Sequence, residues 1–110
     1  MLSRRSTLAM LGAASLGLSP SVFASAPFPS KALRWIVPYP AGGGSDFMAR
    51  VVGQPMSTAV GQSVMVDNKP GGNGAIAVAD LLRSPVDGHT LINVDNGTLV
   101  FNPVLYRKLG

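Results

Sequence analysis

Apolar positions along this chain switch between two periods, and each switch coincides with a proline or a glycine-rich turn. Leu33 to Val37 is a short apolar run that predicts a buried strand, ended by Pro38 and Pro40. From Asp46, residues Phe47, Met48, Val51, Val52, Met56, Ala59 and Val60 recur at helical spacing. Ser45 or Asp46 is placed to cap that helix, Pro55 to kink it near Val51, and Gly61 to end it. Ser63 to Val66 predicts a second strand. Ala75 to Arg83 predicts a second helix, with Ala75, Val78, Ala79 and Leu82 on its inner face. Pro85-Val86-Asp87-Gly88 has the composition of a turn, and Thr90 to Val94 predicts a third strand. Phe101 to Leu109 fits a short helix or irregular chain, since Pro103 permits a helix start.

The order β-α-β-α-β places the chain in the α/β class, with a parallel sheet and right-handed crossovers. Two glycine-rich turns, Ala41-Gly42-Gly43-Gly44-Ser45-Asp46 and Gly71-Gly72-Asn73-Gly74-Ala75, then fall at the carboxyl ends of the first two strands. Open α/β sheets bind ligands along that edge. Glycine lets a backbone approach a ligand closely, and the first turn of a helix has N–H groups without intrahelical partners. Such donors favour an anion, a carboxylate or a phosphate. For one turn alone, tight βα geometry would explain the glycines.

At 110 residues there is room for one small domain at most. Residues 1–24 read as a secretory signal: Arg4 and Arg5 form a basic start, Thr7 to Leu18 is apolar, and small residues follow. The apolar stretch is too short to span a bilayer, so no stable membrane insertion is expected after cleavage. Cleavage is expected after Ala24; the alternative after Ala26 puts Pro27 against the cut bond. Ser3-Arg4-Arg5-Ser6-Thr7-Leu8 also resembles a twin-arginine motif, although Thr7 stands where that motif prefers Phe, and the general secretory route is favoured. Loss of the signal lowers the formal charge from +4 to about +2. The remaining basic residues are scattered without aromatic interleaving, which excludes nucleic acid as the expected partner. With no cysteine and a single histidine, His89, neither a disulfide framework nor a structural zinc site is expected.

Several segments in register resemble the amino-terminal part of the Bug (TctC-like) family, the extracytoplasmic solute-binding receptors of tripartite tricarboxylate transporters. They are Pro29-Ser30-Lys31, Ile36 to Asp46, Gly61 to Gly71, Gly74-Ala75-Ile76, Pro85 to Leu91 and Asn102 to Tyr106. The resemblance implies a periplasmic-binding-protein-like domain, here its βαβαβ portion over residues 25–110, with the second domain absent from this chain. It implies a periplasmic location, a small carboxylate ligand held in a cleft by backbone amides, and a membrane permease as partner. No cofactor and no catalytic chemistry are implied. The ligand contacts it implies are Ala41, Gly42, Gly43, Gly44, Ser45 and Asp46 in the first turn. Gly71, Gly72, Asn73, Gly74 and Ala75 follow in the second, with Thr98 as a third contact. His89 replaces the family's usual tyrosine and is read as a packing change.

Two rival classes remain beside a receptor. Gly72-Asn73-Gly74-Ala75-Ile76-Ala77 fits a dinucleotide fingerprint, with Asp95 at the distance of a ribose-binding acid. Asn68-Lys69-Pro70, however, separates the strand from the glycines more than that tight turn allows. The other rival is an exported remnant that binds nothing, and an isolated 25–110 chain is expected to be unstable. Ser45, His89, Asp46 and Asp87 have no spacing that predicts a hydrolytic site. Asp67 and Asp80 read as solvated charges, and Asp46 as a cap that could also meet a ligand ammonium.

Overall fold

The computed structural model describes residues 25–106. The expected signal segment and residues Arg107 and Lys108 lie outside them. Strand β1 (Leu33–Val37) is flanked by β2 (Val64–Asn68) and β3 (Thr90–Ile92) in a parallel sheet of order β2-β1-β3. Leu33 pairs with Val64 and Val37 with Asn68 on one side; Arg34 pairs with Thr90 and Ile36 with Ile92 on the other. Helix α1 (Gly44–Val60) links β1 to β2, and α2 (Ala75–Arg83) links β2 to β3. After β3 a π-helical turn, Gly97–Phe101, runs directly into α3 (Asn102–Leu105).

The central strand is apolar because it is covered: Leu33, Ile36 and Val37 are buried, joined in the core by Ala49 of α1 and Ala77 of α2. The chain runs outward from β1 to β2 and then crosses back to β3. Winding therefore reverses between β1 and β3, the kind of switch point where open sheets hold ligands.

The elements depart from expectation at their ends and in their facing. Helix α1 begins at Gly44, with Gly43 as N-cap and no side-chain cap, so neither Ser45 nor Asp46 caps it. Pro55 lies within α1 without ending it. Strand β2 extends to Asn68 and β3 stops at Ile92, where Asn93 turns its Oδ1 to accept the Trp35 Nε1–H at 3.0 Å. The buried stripe of α1 is Asp46, Ala49 and Gly53, while Phe47, Met48, Val51 and Val52 are exposed. Small residues win that face because the helix lies close to β2: a Cβ on Gly53 would stand 3.2 Å from Val64 Cγ1. Helix α2 likewise buries Ala77, and its Val78, Ala79 and Leu82 line a groove with Leu99 and Pro103 instead of facing the sheet.

Asp67 and Asp80 are ion-paired, which corrects the reading of them as solvated charges. Arg34 of β1 donates through Nε to Asp67 Oδ2 at 2.9 Å and through Nη2 to the same oxygen. The same Nη2 reaches Asp80 Oδ2 of α2 at 2.6 Å. Asp67 and Asp80 raise the Arg34 pKa, and Arg34 lowers that of Asp80. This triad ties α2 to the sheet. His89 is buried, accepts the Ser30 N–H at Nε2 (3.1 Å) and packs on Phe28 with ring centroids 4.8 Å apart.

Candidate functional site

The first glycine turn is closed by its own acid. Gly42 adopts φ +88°, and the Gly43 N–H bonds back to Pro40 O at 3.3 Å. Asp46, in the first turn of α1, is buried and points back into the loop. Its Oδ2 accepts the Gly42 N–H at 2.9 Å, Arg50 Nε reaches both carboxylate oxygens at 3.0 Å, and Asn68 Nδ2 donates to Oδ1 at 3.1 Å. Arg50 first, then the Gly42 amide, hold its pKa down to about 2. Asn68 Nδ2 also donates to Tyr39 O at 3.1 Å, so the end of β2 braces the start of the turn. Asp46 is thus fully engaged inside the loop, and Ala41, Gly42, Gly43 and Gly44 face solvent beside it.

The second turn has no such acid. Gly71, Gly72, Asn73 and Gly74 take positive φ in succession, at +121°, +57°, +51° and +88°. Asn73 is the non-glycine residue with positive φ among those described, and Asn tolerates that conformation. Helix α2 then starts at Ala75 with Gly74 as N-cap, no side-chain cap and no acidic residue in its first turn. The turn is held from behind. Asn73 O accepts from Asn102 Nδ2 at 2.6 Å, and Asn73 Nδ2 donates to the Tyr106 hydroxyl at 2.8 Å. A Cβ on Gly74 would lie 2.7 Å from Thr98 Oγ1 and 2.8 Å from its Cγ2.

Tyr39, Asn73, Asp95, Thr98, Asn102 and Tyr106 line an open cleft of about 290 Å³ at the β1/β3 switch. Of the expected contacts, Asn73 and Thr98 therefore come together here, with Gly74 packed on Thr98. Ala41 to Asp46 do not line this cleft, nor do Gly71 and Gly72, and Ala75 borders the groove beyond Thr98. The Tyr39 hydroxyl is buried and has no hydrogen-bond partner within bonding geometry among the described residues. Burial, and next the nearby Asp95 carboxylate, push its pKa upward. Asp95 is held below the usual carboxylate range, first by the neighbouring Tyr39 hydroxyl and next by the Thr98 amide bonded to it.

Residues 48–110 match the family model described as Tripartite tricarboxylate transporter family receptor. The chain belongs to this receptor family. It is 41% identical over 73 residues to a UPF0065 protein of Pseudomonas sp. strain P51, covering 66% of this chain and 22% of that protein. A structure described as a periplasmic transporter superposes with TM-score 0.70 at 42% identity, covering 74% of this chain and 28% of the other. An R. palustris protein solved with adipate superposes with TM-score 0.61 at 34% identity, covering 64% and 23%. MatC from Rhodopseudomonas palustris, with bound malate, superposes with TM-score 0.56 at 34% identity, covering 59% and 22%. The chain spans between 22% and 32% of the length of the curated relatives it matches. These receptors share its open parallel α/β sheet, the periplasmic-binding-protein-like portion that the sequence predicts. Among the described residues no helix is long and apolar enough to cross a membrane.

Sequence reasoning gave no role to Tyr39, Asn68, Asn102 or Tyr106, and read Asp95 only as a possible ribose contact. Tyr39 carries a polar tip between two prolines, and Asn68 ends a strand against a glycine turn; both patterns are weak signals without the partner they meet.

Proposed function

We propose that this chain forms one wall of a periplasmic receptor for small carboxylates, which passes its ligand to the membrane permease of a tripartite tricarboxylate transporter. One observation carries the reading. Both α1 and α2 have a glycine N-cap at the carboxyl edge of the sheet, and neither start has a side-chain cap. First-turn amides left in this way call for an acceptor from outside, and the helix dipole favours a negative one. Gly71 to Ala75 offer the stronger anchor, because the first turn of α2 holds no acidic residue. Gly42 to Ser45, beside the internally bonded Asp46, and Thr98 complete the proposed contact set, with the facing wall supplied by a second domain. The adipate and malate bound to the two R. palustris neighbours fit the same ligand class.

Calorimetric titration of the purified full-length gene product with a panel of C3 to C6 mono- and dicarboxylates, amino acids included, tests this. Saturable binding of at least one, abolished in Gly74→Val, is the expected result. Absence of binding across the panel at millimolar ligand overturns the receptor reading and favours an exported protein that binds nothing.

A further inference from the structure

Asp95 stands outside the proposed contact set, yet it supplies the charge of the cleft. Its Oδ1 accepts both the Thr98 N–H at 2.9 Å and the Thr98 hydroxyl at 3.2 Å. Both donors of Thr98, the third contact that the family resemblance implies, are therefore occupied by a carboxylate of the chain itself. No lysine or arginine lines the cleft among the described residues. Tyr39 also lines it, with its buried hydroxyl next to the Asp95 carboxylate. The Asn73 and Asn102 amides are already bonded, to the Tyr106 hydroxyl and to Asn73 O.

Asn73 belongs both to the second glycine turn and to this cleft, so a carboxylate held on that turn leaves the rest of the ligand beside it. A second carboxylate there meets the like charge of Asp95 and finds the Thr98 donors taken. An ammonium group meets an anion whose Oδ2 is not used by Thr98.

We propose that Asp95 is the specificity-determining residue of the site, selecting carboxylates that carry an ammonium group over dicarboxylates of the same length. The assignment rests on the carboxylate-receptor reading. A purely local role also exists for Asp95, as the acceptor that starts the Gly97–Phe101 turn, so the test has to separate charge from capping. Asn and Ser serve as helix-start acceptors about as well as Asp. Asp95→Asn and Asp95→Ser therefore keep the acceptor and remove the charge.

The experiment is a titration of the full-length gene product and both variants with length-matched pairs: β-alanine against succinate, and 4-aminobutyrate against glutarate. The wild type is expected to prefer the amino member of at least one pair by about tenfold or more, the range of a hydrogen bond to a charged group. Both variants should lose most of that preference while their melting temperatures stay close to wild type. Tighter wild-type binding of succinate or glutarate overturns this assignment and leaves the carboxylate reading standing. A preference that survives in both variants also overturns it, because Asp95 then acts only through the turn. Binding of none of the four by the wild type overturns the assignment; the receptor reading falls with it only if the wider panel also fails.

Discussion

The two glycine turns begin from similar sequence and end in opposite electrostatic states. In the first, Asp46 folds back on the Gly42 amide and is neutralised by Arg50, with Asn68 as a further donor. In the second, four residues with positive φ lead to a helix start that no side chain caps and whose first turn holds no acidic residue. One helix start carries an acid in its first turn; the other carries none there. Their anchors differ as well. The first is braced from within by Asp46, whereas the second is held from behind by Asn102, by Tyr106 and, through α2, by the Arg34–Asp80 pair. A glycine-rich βα turn is thus not by itself an anion site, because a single carboxylate three or four residues on can satisfy it.

The sharpest way to break this comparison is to exchange glycine for valine in each turn. Gly74→Val forces φ +88° on a β-branched residue, a cost of about 1–2 kcal/mol from backbone alone, and drives a Cβ into Thr98. Ligand affinity should fall more than about tenfold, the size expected for losing one charged hydrogen bond. The melting temperature should drop with it. Gly43 has an ordinary φ of −78°, and a Cβ there meets only Pro40 O at 3.3 Å. Gly43→Val should lose less on both counts. Equal damage from the two variants, read by calorimetry and thermal denaturation, ends the distinction.

A smaller effect separates the turns by pH. The Asp46 pKa is lowered from 3.8 to about 2 in the folded state. Its contribution to stability is therefore fully present above the unfolded value and is lost as pH falls from about 4 toward 2. The expected measurement is an acid unfolding curve that steepens below pH 4 and is shallower in Asp46→Asn. The Asp87 carboxyl, also held to about 2 by Lys31 and the His89 amide, supplies a residual slope in that variant. An unchanged curve would mean that the first turn does not depend on its internal anion.

Arg34→Met tests the anchor of the second turn. Its loss of stability should be modest, and it should shrink as salt rises, because the triad is part-exposed. Amide exchange should quicken in residues 71–84 more than in residues 41–50. The smallest effect is expected for Tyr39→Phe. Removing a buried hydroxyl that lacks a partner should leave stability unchanged or raise it by up to ~1 kcal/mol. Ligand affinity should nevertheless fall severalfold if that hydroxyl completes its bonding on the ligand. Loss of stability without loss of affinity would mean that Tyr39 serves packing alone.

The sequence by itself determined the element order, the parallel sheet and the family. Apolar runs, helical spacing and glycine or proline punctuation are local signals, and β1 and α2 fall where those signals put them. It also placed both glycine turns on the ligand edge, since strands of a parallel sheet share one carboxyl end. What only the tertiary structure decided was which neighbour each side chain meets. Periodicity marks Phe47, Met48, Val51 and Val52 as an apolar stripe, but close approach to β2 selects Ala49 and Gly53 for the buried face. Arg34 finds Asp67 and Asp80 across separations of 33 and 46 residues, which no local pattern encodes. Thr98 meets Asn73 O across 25 residues, and Asp95 enters the cleft only because the π-helical turn folds back on the second glycine turn. Local chemistry sets which conformations a segment can hold. The charge that each turn faces is set by partners distant in sequence, and so it appears only once the sheet has brought its carboxyl ends together.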